Sequence, residues 1–343
     1  MAIVGGLDIH RAQITFEWSD SETAELRRGR ITNASRARVR GWLEQFGADQ
    51  QVELALEGCT GWRFVTEEID RAGFVAHLAE PAETMARRGR KQRAKTDRAD
   101  AALLRRLLVE GRLPESWIPP THVLEARATV RLYKALVDTR TEWLQRMHAV
   151  LFHHGVPVEG ELTVAATRAW LLSEADLTPT GVGQLRVGYG MIDHVNAELP
   201  ELKRELTSLA KTQPGCRALW ETHYGVGPIT SVAVWAELGD CRRFGSSDDA
   251  VRHTGLDVTV HSSDGKRRGG PHLSRQGPPA LRWALYEAGK CASRPTSPDY
   301  EYYQAVKARC GGNRAAMSVG RKIVRRCYHT LRDLGDKALE PVG

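Results

Sequence analysis

The chain has 343 residues, of which 41% are hydrophobic and 27% charged. That is enough apolar material for two cores and excludes a disordered tail protein. Its six cysteines are scattered without a C-x-x-C pair, which excludes a zinc ribbon or a disulfide frame. No apolar run is long enough to span a bilayer and no signal-peptide pattern opens the chain, so we expect a soluble, cytoplasmic protein with reduced thiols and no membrane partner.

In chain order, the first predicted element is a buried strand over Ile3–His10 that carries one acid, Asp8. Strands follow over Gln13–Trp18 and Arg27–Thr32, then a helix capped by Asn33 with Val39, Trp42, Leu43 and Phe46 on one face. A strand from Val52 ends in Glu57, a helix carries Trp62, Val65 and Ile69 and stops at Gly73, and a strand covers Phe74–Leu78. Strands alternating with helices predict an α/β layer. A basic loop, Met85–Lys95, leads into a helix from Thr96 to Glu110, and Pro114, Pro119 and Pro120 mark a boundary. Two long amphipathic helices, Leu124–His153 and Val187–Ala210, predict an antiparallel hairpin or coiled coil. Pro214-Gly215 opens a last, mainly helical domain, in which Tyr224-Gly225-Val226-Gly227-Pro228 sits between two helical patterns as a glycine hairpin would. We therefore expect domains at 1–115, 116–212 and 213–343.

The net charge of +7 suits a polyanionic partner. Basic residues cluster in Arg87, Arg88, Arg90, Lys91, Arg93 and Lys95, in Lys266, Arg267 and Arg268, and in Arg321, Lys322, Arg325 and Arg326. Any single run is equally consistent with a solvated face.

Four acids stand where solvated charges normally would not. Asp8 lies within an apolar strand, Glu57 ends another, and Asp97 and Asp100 sit three apart at a helix start, on one face. Buried carboxylates repel one another unless a cation compensates, and hard oxygen donors suit Mg²⁺ or Mn²⁺. Each acid alone is also explained as a strand-end or helix-start charge. Their order (first strand, later strand, helix pair) matches RNase H-like nucleases, including RuvC-type junction resolvases. A second candidate is the segment Gly255–Gly270, where Ser262 and Ser263 lie beside Lys266, Arg267 and Arg268. Such a loop can approach a phosphate backbone closely, either as a binding turn or as the carrier of a serine nucleophile.

Both ends together resemble a known family. The segments Gly6-Leu7-Asp8-Ile9-His10, Leu56-Glu57-Gly58-Cys59-Thr60-Gly61 and Lys95-Thr96-Asp97-Arg98-Ala99-Asp100-Ala101 are similar to those of the DEDD transposases of the insertion-sequence one-ten family. So are Tyr224–Pro228, Phe244, Gly255-Leu256, Ser262-Ser263 and Ser274-Arg275-Gln276-Gly277, in the family's order over nearly the whole chain. The resemblance implies an RNase H-like (RuvC-like) α/β domain with Asp8, Glu57, Asp97 and Asp100 as Mg²⁺ or Mn²⁺ ligands. It implies a long-helix coiled-coil middle region and a mainly α transposase domain. The turn at Gly225 and Gly227 is itself helix-hairpin-helix-like, with backbone amides that suit phosphate, or equally a tight turn between packed helices. Ser263 falls on the nucleophile, with Ser262 its neighbour, and Asp264 replaces the usual glycine. Arg275 and Arg282 join the basic runs as phosphate or RNA contacts. The resemblance further implies element-end and target DNA, a structured non-coding guide RNA, dimers pairing into tetramers, and a place at the nucleoid. Two other readings stay open on the residues: a junction resolvase or nuclease using water, and a nucleic-acid-binding relative without catalysis.

Overall fold

The structure, a computed structural model, describes residues 2–88, 96–259, 262–263, 266–267 and 272–341. The chain divides into two compact units, Met1–Ile118 and Pro119–Gly343.

The first unit is built on a sheet that opens as a meander. Strands β1 (Ala2–Ile9), β2 (Gln13–Asp20) and β3 (Leu26–Thr32) pair antiparallel. Helix α1 (Arg36–Leu43) follows, capped by the Ser35 hydroxyl, which accepts from the Arg38 amide. Asn33 does not cap it as expected: it takes a left-handed φ of 54° and turns the chain two residues earlier. Strand β4 (Gln51–Glu57) then pairs parallel with β1, and helix α2 (Trp62–Arg71) leads to β5 (Val75–Ala79), parallel to β4. Helix α3 (Pro81–Arg87) takes up the start of the stretch expected to be a basic loop. Pro81 supplies a preset φ at its first turn and the Glu80 carboxylate caps it. Residues 89–95, the remainder of that loop, lie outside the described residues. Helix α4 (Asp97–Val109) and the short edge strand β6 (Glu115–Ser116), antiparallel to β5, complete a six-stranded mixed sheet of order β3-β2-β1-β4-β5-β6.

Period-two alternation divides this sheet into two unequal faces. One face buries Ile3, Leu7, Leu54 and Leu56 with Val39, Leu43, Val65 and Ile69 of α1 and α2. The other is nearly smooth, since Gly6, Ala55 and Ala79 present little or no side chain, and α4 lies on it through Ala101 and Leu104. The approach is close: a Cβ at Gly6 would stand 2.1 Å from the Ala101 carbonyl oxygen and 2.6 Å from the Arg105 nitrogen. Arg105 fixes the helix by donating to the buried Glu17 on β2 at 2.9 Å.

The second unit is helical. Helix α5 (Thr121–His153) runs beside α7 (Pro179–Thr212), with α6 (Ala165–Ser173) between them in sequence. At one end of this hairpin Met147, Leu151, Leu185, Tyr189 and Ile192 form a closed core with Leu162 and Leu171. Helix α7 begins eight residues before the expected Val187, because Thr178 caps it and Pro179 fits its first turn. Pro200 lies inside α7, after the last of its residues in that core. Helices α8 (Pro214–Thr222) and α9 (Pro228–Leu238) follow, joined by a turn in which Gly225 has a φ of 85°. Buried Glu237 on α9 pairs with Arg131 at 2.8 Å and Arg127 at 3.4 Å, both on α5, which fastens the hairpin to the helices that follow. Helix α10 (Ser247–Thr254), the two-residue strands β7 (Val258–Thr259), β8 (Ser262–Ser263), β9 (Lys266–Arg267) and β10 (His272–Leu273), and helices α11 (Pro279–Lys290), α12 (Tyr300–Cys310) and α13 (Gly312–Leu334) complete the unit.

The α4 contact makes Gly6→Ala the most damaging single methyl in the first unit. Overpacking against helix backbone is expected to lower its stability by about 3 kcal/mol or more. Gly41→Ala, where nothing stands within 4 Å of the added methyl, is expected to gain up to about 1 kcal/mol within α1. Urea midpoints of the two variants check both signs.

Candidate functional site

Register and helix direction place the four acids at the same end of the sheet. Leu7 is paired with Leu56 across β1 and β4, so Asp8 and Glu57 follow as the next rung, at the ends of neighbouring strands about 4.8 Å apart. Asp8 shares the Gly6 face and Glu57 the Ala55 face, which is the face that carries α4. Helix α4 runs antiparallel to β1, since Gly6 meets Ala101 and Arg105 while its first residue reaches His10 and Gln13. Its N-terminus therefore stands at the edge of the sheet that bears Asp8. The Thr96 hydroxyl caps it by accepting from the Ala99 amide at 3.2 Å, and Asp97 and Asp100 occupy the first turn, where the helix dipole favours negative charge.

Sequence reasoning missed a fifth member. The His10 Nε2 lies 3.1 Å from Asp8 Oδ2 and 3.6 Å from Asp97 Oδ1, and the donor atoms of these three residues all lie within 4.8 Å of one another. His10 stood in the same quoted motif as Asp8, but only the helix position brings Asp97 to it. The Gln13 amide donates to the other Asp97 oxygen at 3.2 Å and orients that carboxylate. Glu57 and Asp100 stand outside this closest group. The Arg88 guanidinium lies against the buried Oδ1 of the Asp100 carboxylate and pairs with it. Cys59, just after β4, donates its thiol to the Ile9 carbonyl at 3.7 Å. Burial pushes that thiol's pKa up, and the charges of Asp8 and Glu57 push it the same way, so Cys59 stays neutral beside the acids.

These donors fit a hard divalent cation. Bonds of about 2.1 Å place neighbouring octahedral donors about 3 Å apart, close to the Asp8–His10 spacing.

The serines lie in the second unit. Ser262 pairs with Arg267 and Ser263 with Lys266 in a two-stranded hairpin, β8–β9. Asp264, Gly265 and Arg268 lie outside the described residues, as do Arg90, Lys91, Arg93 and Lys95 of the first basic run. The segment is closed at its base by two glycines: Gly255 has a φ of 69°, and a Cβ at Gly277 would stand 2.3 Å from the His253 carbonyl oxygen. Arg282 donates to the Gly277 carbonyl at 2.5 Å and Ser274 to the Asp257 carboxylate, so both residues hold this closure. Arg275 is exposed beside it. Gly225 has a packing role, since a Cβ there would stand 2.6 Å from the Ala288 carbonyl oxygen, whereas Gly227 faces open space at the start of α9. Arg87 donates to the Arg112 carbonyl and pairs with Glu83 at 3.5 Å.

Two family models match the chain. One, described as a transposase and drawn from DEDD elements of the IS110 group, covers residues 5–154. The other, described as the transposase IS116/IS110/IS902 family, covers residues 217–304. The chain belongs to this transposase family. A probable family 20 transposase of Pseudomonas aeruginosa is 23% identical over 301 residues, covering 84% of this chain and 86% of the relative. The transposase for insertion sequence element IS1328 of Yersinia enterocolitica is 28% identical over 232 residues, covering 65% and 67%. That for element IS1111A of Coxiella burnetii is 26% identical over 211 residues, covering 58% and 56%. The protein is thus an enzyme of DNA transposition, and no helix among its described residues is long and apolar enough to cross a membrane.

In this transposase the base of the serine segment responds to pH through His253, in the last turn of α10. Burial and the neighbouring Arg243 charge hold its pKa down at about 4, against an ordinary 6.5, and its Nε2 donates to the Glu237 carbonyl at 3.1 Å. Between pH 6.5 and 4 the unfolded chain binds a proton that the folded one does not, so stability is full above that window and falls as pH drops through it. From pH 7 to pH 5 the His253 contribution lost is about 2 kcal/mol. His253→Gln is expected to flatten that part of the stability profile, measured by urea unfolding at the two pH values.

Proposed function

We propose that this transposase cuts and rejoins DNA with two chemical groups carried on separate units. One is a divalent-cation site on an RNase H-like, RuvC-like layer, formed by Asp8, Glu57, Asp97 and Asp100. The other is the hydroxyl of Ser263. The observation that carries the reading is the convergence of Asp8 and Asp97, 89 positions apart in sequence, on the His10 nitrogen. Acids on the first strand, on its parallel neighbour and on the helix beyond support the RNase H-like assignment, since that is the order the resemblance implies.

When bound, Mg²⁺ or Mn²⁺ polarises the phosphate and offsets the charge that builds on the attacking and leaving oxygens. Asp8, Asp97 and His10 would hold it through their carboxylate oxygens and imidazole nitrogen, and Glu57 and Asp100 would complete the set. Gln13 donates to the Asp97 carboxylate and holds it at the first turn of α4. In the second unit the Ser263 oxygen forms a bond to phosphorus as the bond to the departing deoxyribose oxygen breaks. The hydroxyl proton is given up, the departing oxygen takes one up, and the DNA end is held as a phosphoserine. Lys266, opposite Ser263 in the hairpin, and the neighbouring Arg267 and Arg268 bring positive charge to that strand. The basic run at Arg87–Lys95 and the exposed Arg275 suit DNA or RNA backbone. We take the hairpin of α5 and α7 as the oligomerising region, residues 116–212, and residues 213–343 as the transposase domain. Acids and serine from different copies then complete one site, in dimers that pair on element-end and target DNA with a structured RNA of the element.

The test is the covalent intermediate. With element-end DNA, its RNA and Mg²⁺, a protein–DNA adduct that survives denaturation is expected, and it is expected to vanish in Ser263→Ala and in Asp8→Ala. Strand breakage retained in full by Ser263→Ala would instead mean that the acids cut with water. His10 carries its own expectation. A nitrogen donor favours Mn²⁺ over Mg²⁺ relative to an all-oxygen site, so His10→Ala is expected to weaken Mn²⁺ binding about tenfold and Mg²⁺ binding less, read by calorimetry with each ion alone.

A further inference from the structure

A cleft of about 410 Å³ opens between α12, α13 and the β7–β10 ladder. Its floor is apolar, with Val306 of α12 and Met317 of α13 facing the paired Val258 and Leu273. Arg309, Arg314 and Arg321 also line it, and none of its lining residues is acidic. That charge is not neutralised locally: among the described residues no carboxylate pairs with any of the three arginines. The next cations along α13 behave differently. Lys322 and Arg326 pair with Asp299 at 2.6 and 2.7 Å, and Arg325 pairs with Asp248 at 2.8 Å.

Arg321 is the informative member. It is half-buried, and its guanidinium is held by donating to the Leu256 carbonyl at 3.2 Å and the Ser318 hydroxyl at 3.1 Å. Burial pushes its pKa down. A partly desolvated cation fixed by neutral acceptors is costly until an anion joins it. Tyr302 stands at the same wall with its hydroxyl bound to Ser318 at 2.6 Å, so an exposed aromatic ring is held beside the arginines. Cations that track phosphates beside an aromatic and an apolar floor are what an unpaired nucleotide needs. The volume suits one nucleotide and excludes a duplex.

The cleft is also joined to the serine hairpin. Val258 belongs to β7, and four residues further on the chain reaches Ser262, a span of at most about 14 Å. We propose that this cleft binds an unpaired nucleotide of the DNA strand attacked by Ser263. Phosphates of that strand lie on Arg309, Arg314 and Arg321, and the base lies against Tyr302 and the Val306–Met317 floor. The proposal rests on the serine reading given above, and its test separates the two.

Cys310 lies in the cleft wall and is exposed, whereas Cys216, Cys241 and Cys327 are buried. Maleimide labelling of the full chain, read at Cys310 by peptide mass spectrometry, therefore reports occupancy without any cleavage. A single-stranded DNA oligonucleotide of the element end is expected to slow labelling about tenfold, and the protection is expected to fade with added salt. Arg309→Glu with Arg314→Glu is expected to abolish the protection while thermal unfolding stays unchanged, and Tyr302→Ala is expected to reduce it where Tyr302→Phe does not. Ser263→Ala is expected to keep it in full. Adduct formation at Ser263 without protection of Cys310 would overturn the cleft and leave the serine. Protection in a chain whose Ser263→Ala variant still cuts would overturn the serine and leave the cleft as a site for unpaired DNA. Equal protection by a duplex, or protection by RNA alone, would overturn the proposed occupant.

Discussion

One close contact governs the N-terminal site: helix backbone against strand backbone at Gly6. The missing side chain lets α4 settle directly on β1, and Ala55 and Ala79 extend the same smooth strip to the neighbouring strands. Because α4 runs antiparallel to β1, settling there delivers its first turn to the strand end that bears Asp8. The Arg105–Glu17 pair secures the far end of the helix, so the position of Asp97 is determined at two places remote from it. Like charges gathered this way repel one another. The helix dipole, His10 and Arg88 each offset part of that repulsion, and a divalent ion offsets more.

The second unit solves a similar problem with glycines of its own. Gly255 and Gly277 let two backbone stretches cross at the base of the serine segment, and Arg282 and Ser274 stitch the crossing. That gives the Ser274–Gly277 motif a structural reason: it closes the loop that holds the serines. The hairpin register sets Ser263 opposite Lys266.

Much of the first unit was legible because its signals are local. Apolar runs ending in Asp8 and Glu57 marked β1 and β4, and Thr96 with two acids marked the start of α4. What stayed hidden depends on distance. His10 and Gln13 acquire meaning only through Asp97, more than 80 residues away, and no period in the sequence encodes which face of a sheet receives a helix. Local chemistry also misled where two candidates stood close together: Asn33 and Ser35 are both good caps, and the chain turns at the first and caps at the second. In the second unit the long helices were readable from their apolar stripes. The early start of α7 was not, since Gly181, Gly183 and Gly188 weaken the pattern there. The uncompensated charge of Arg321 could not be read at all, because its neighbours in sequence look identical and only their pairing sets it apart.

Pro200 divides α7 between two kinds of support. Before it, Leu185, Tyr189 and Ile192 belong to the closed core at one end of the hairpin; after it, Leu206 and Ala210 are buried where α7 runs against α9. The proline withholds one rung from the helix ladder at the junction. Load applied to the far end of the hairpin would thus concentrate at that missing rung. The arm can flex there without disturbing the contact of α7 with α9.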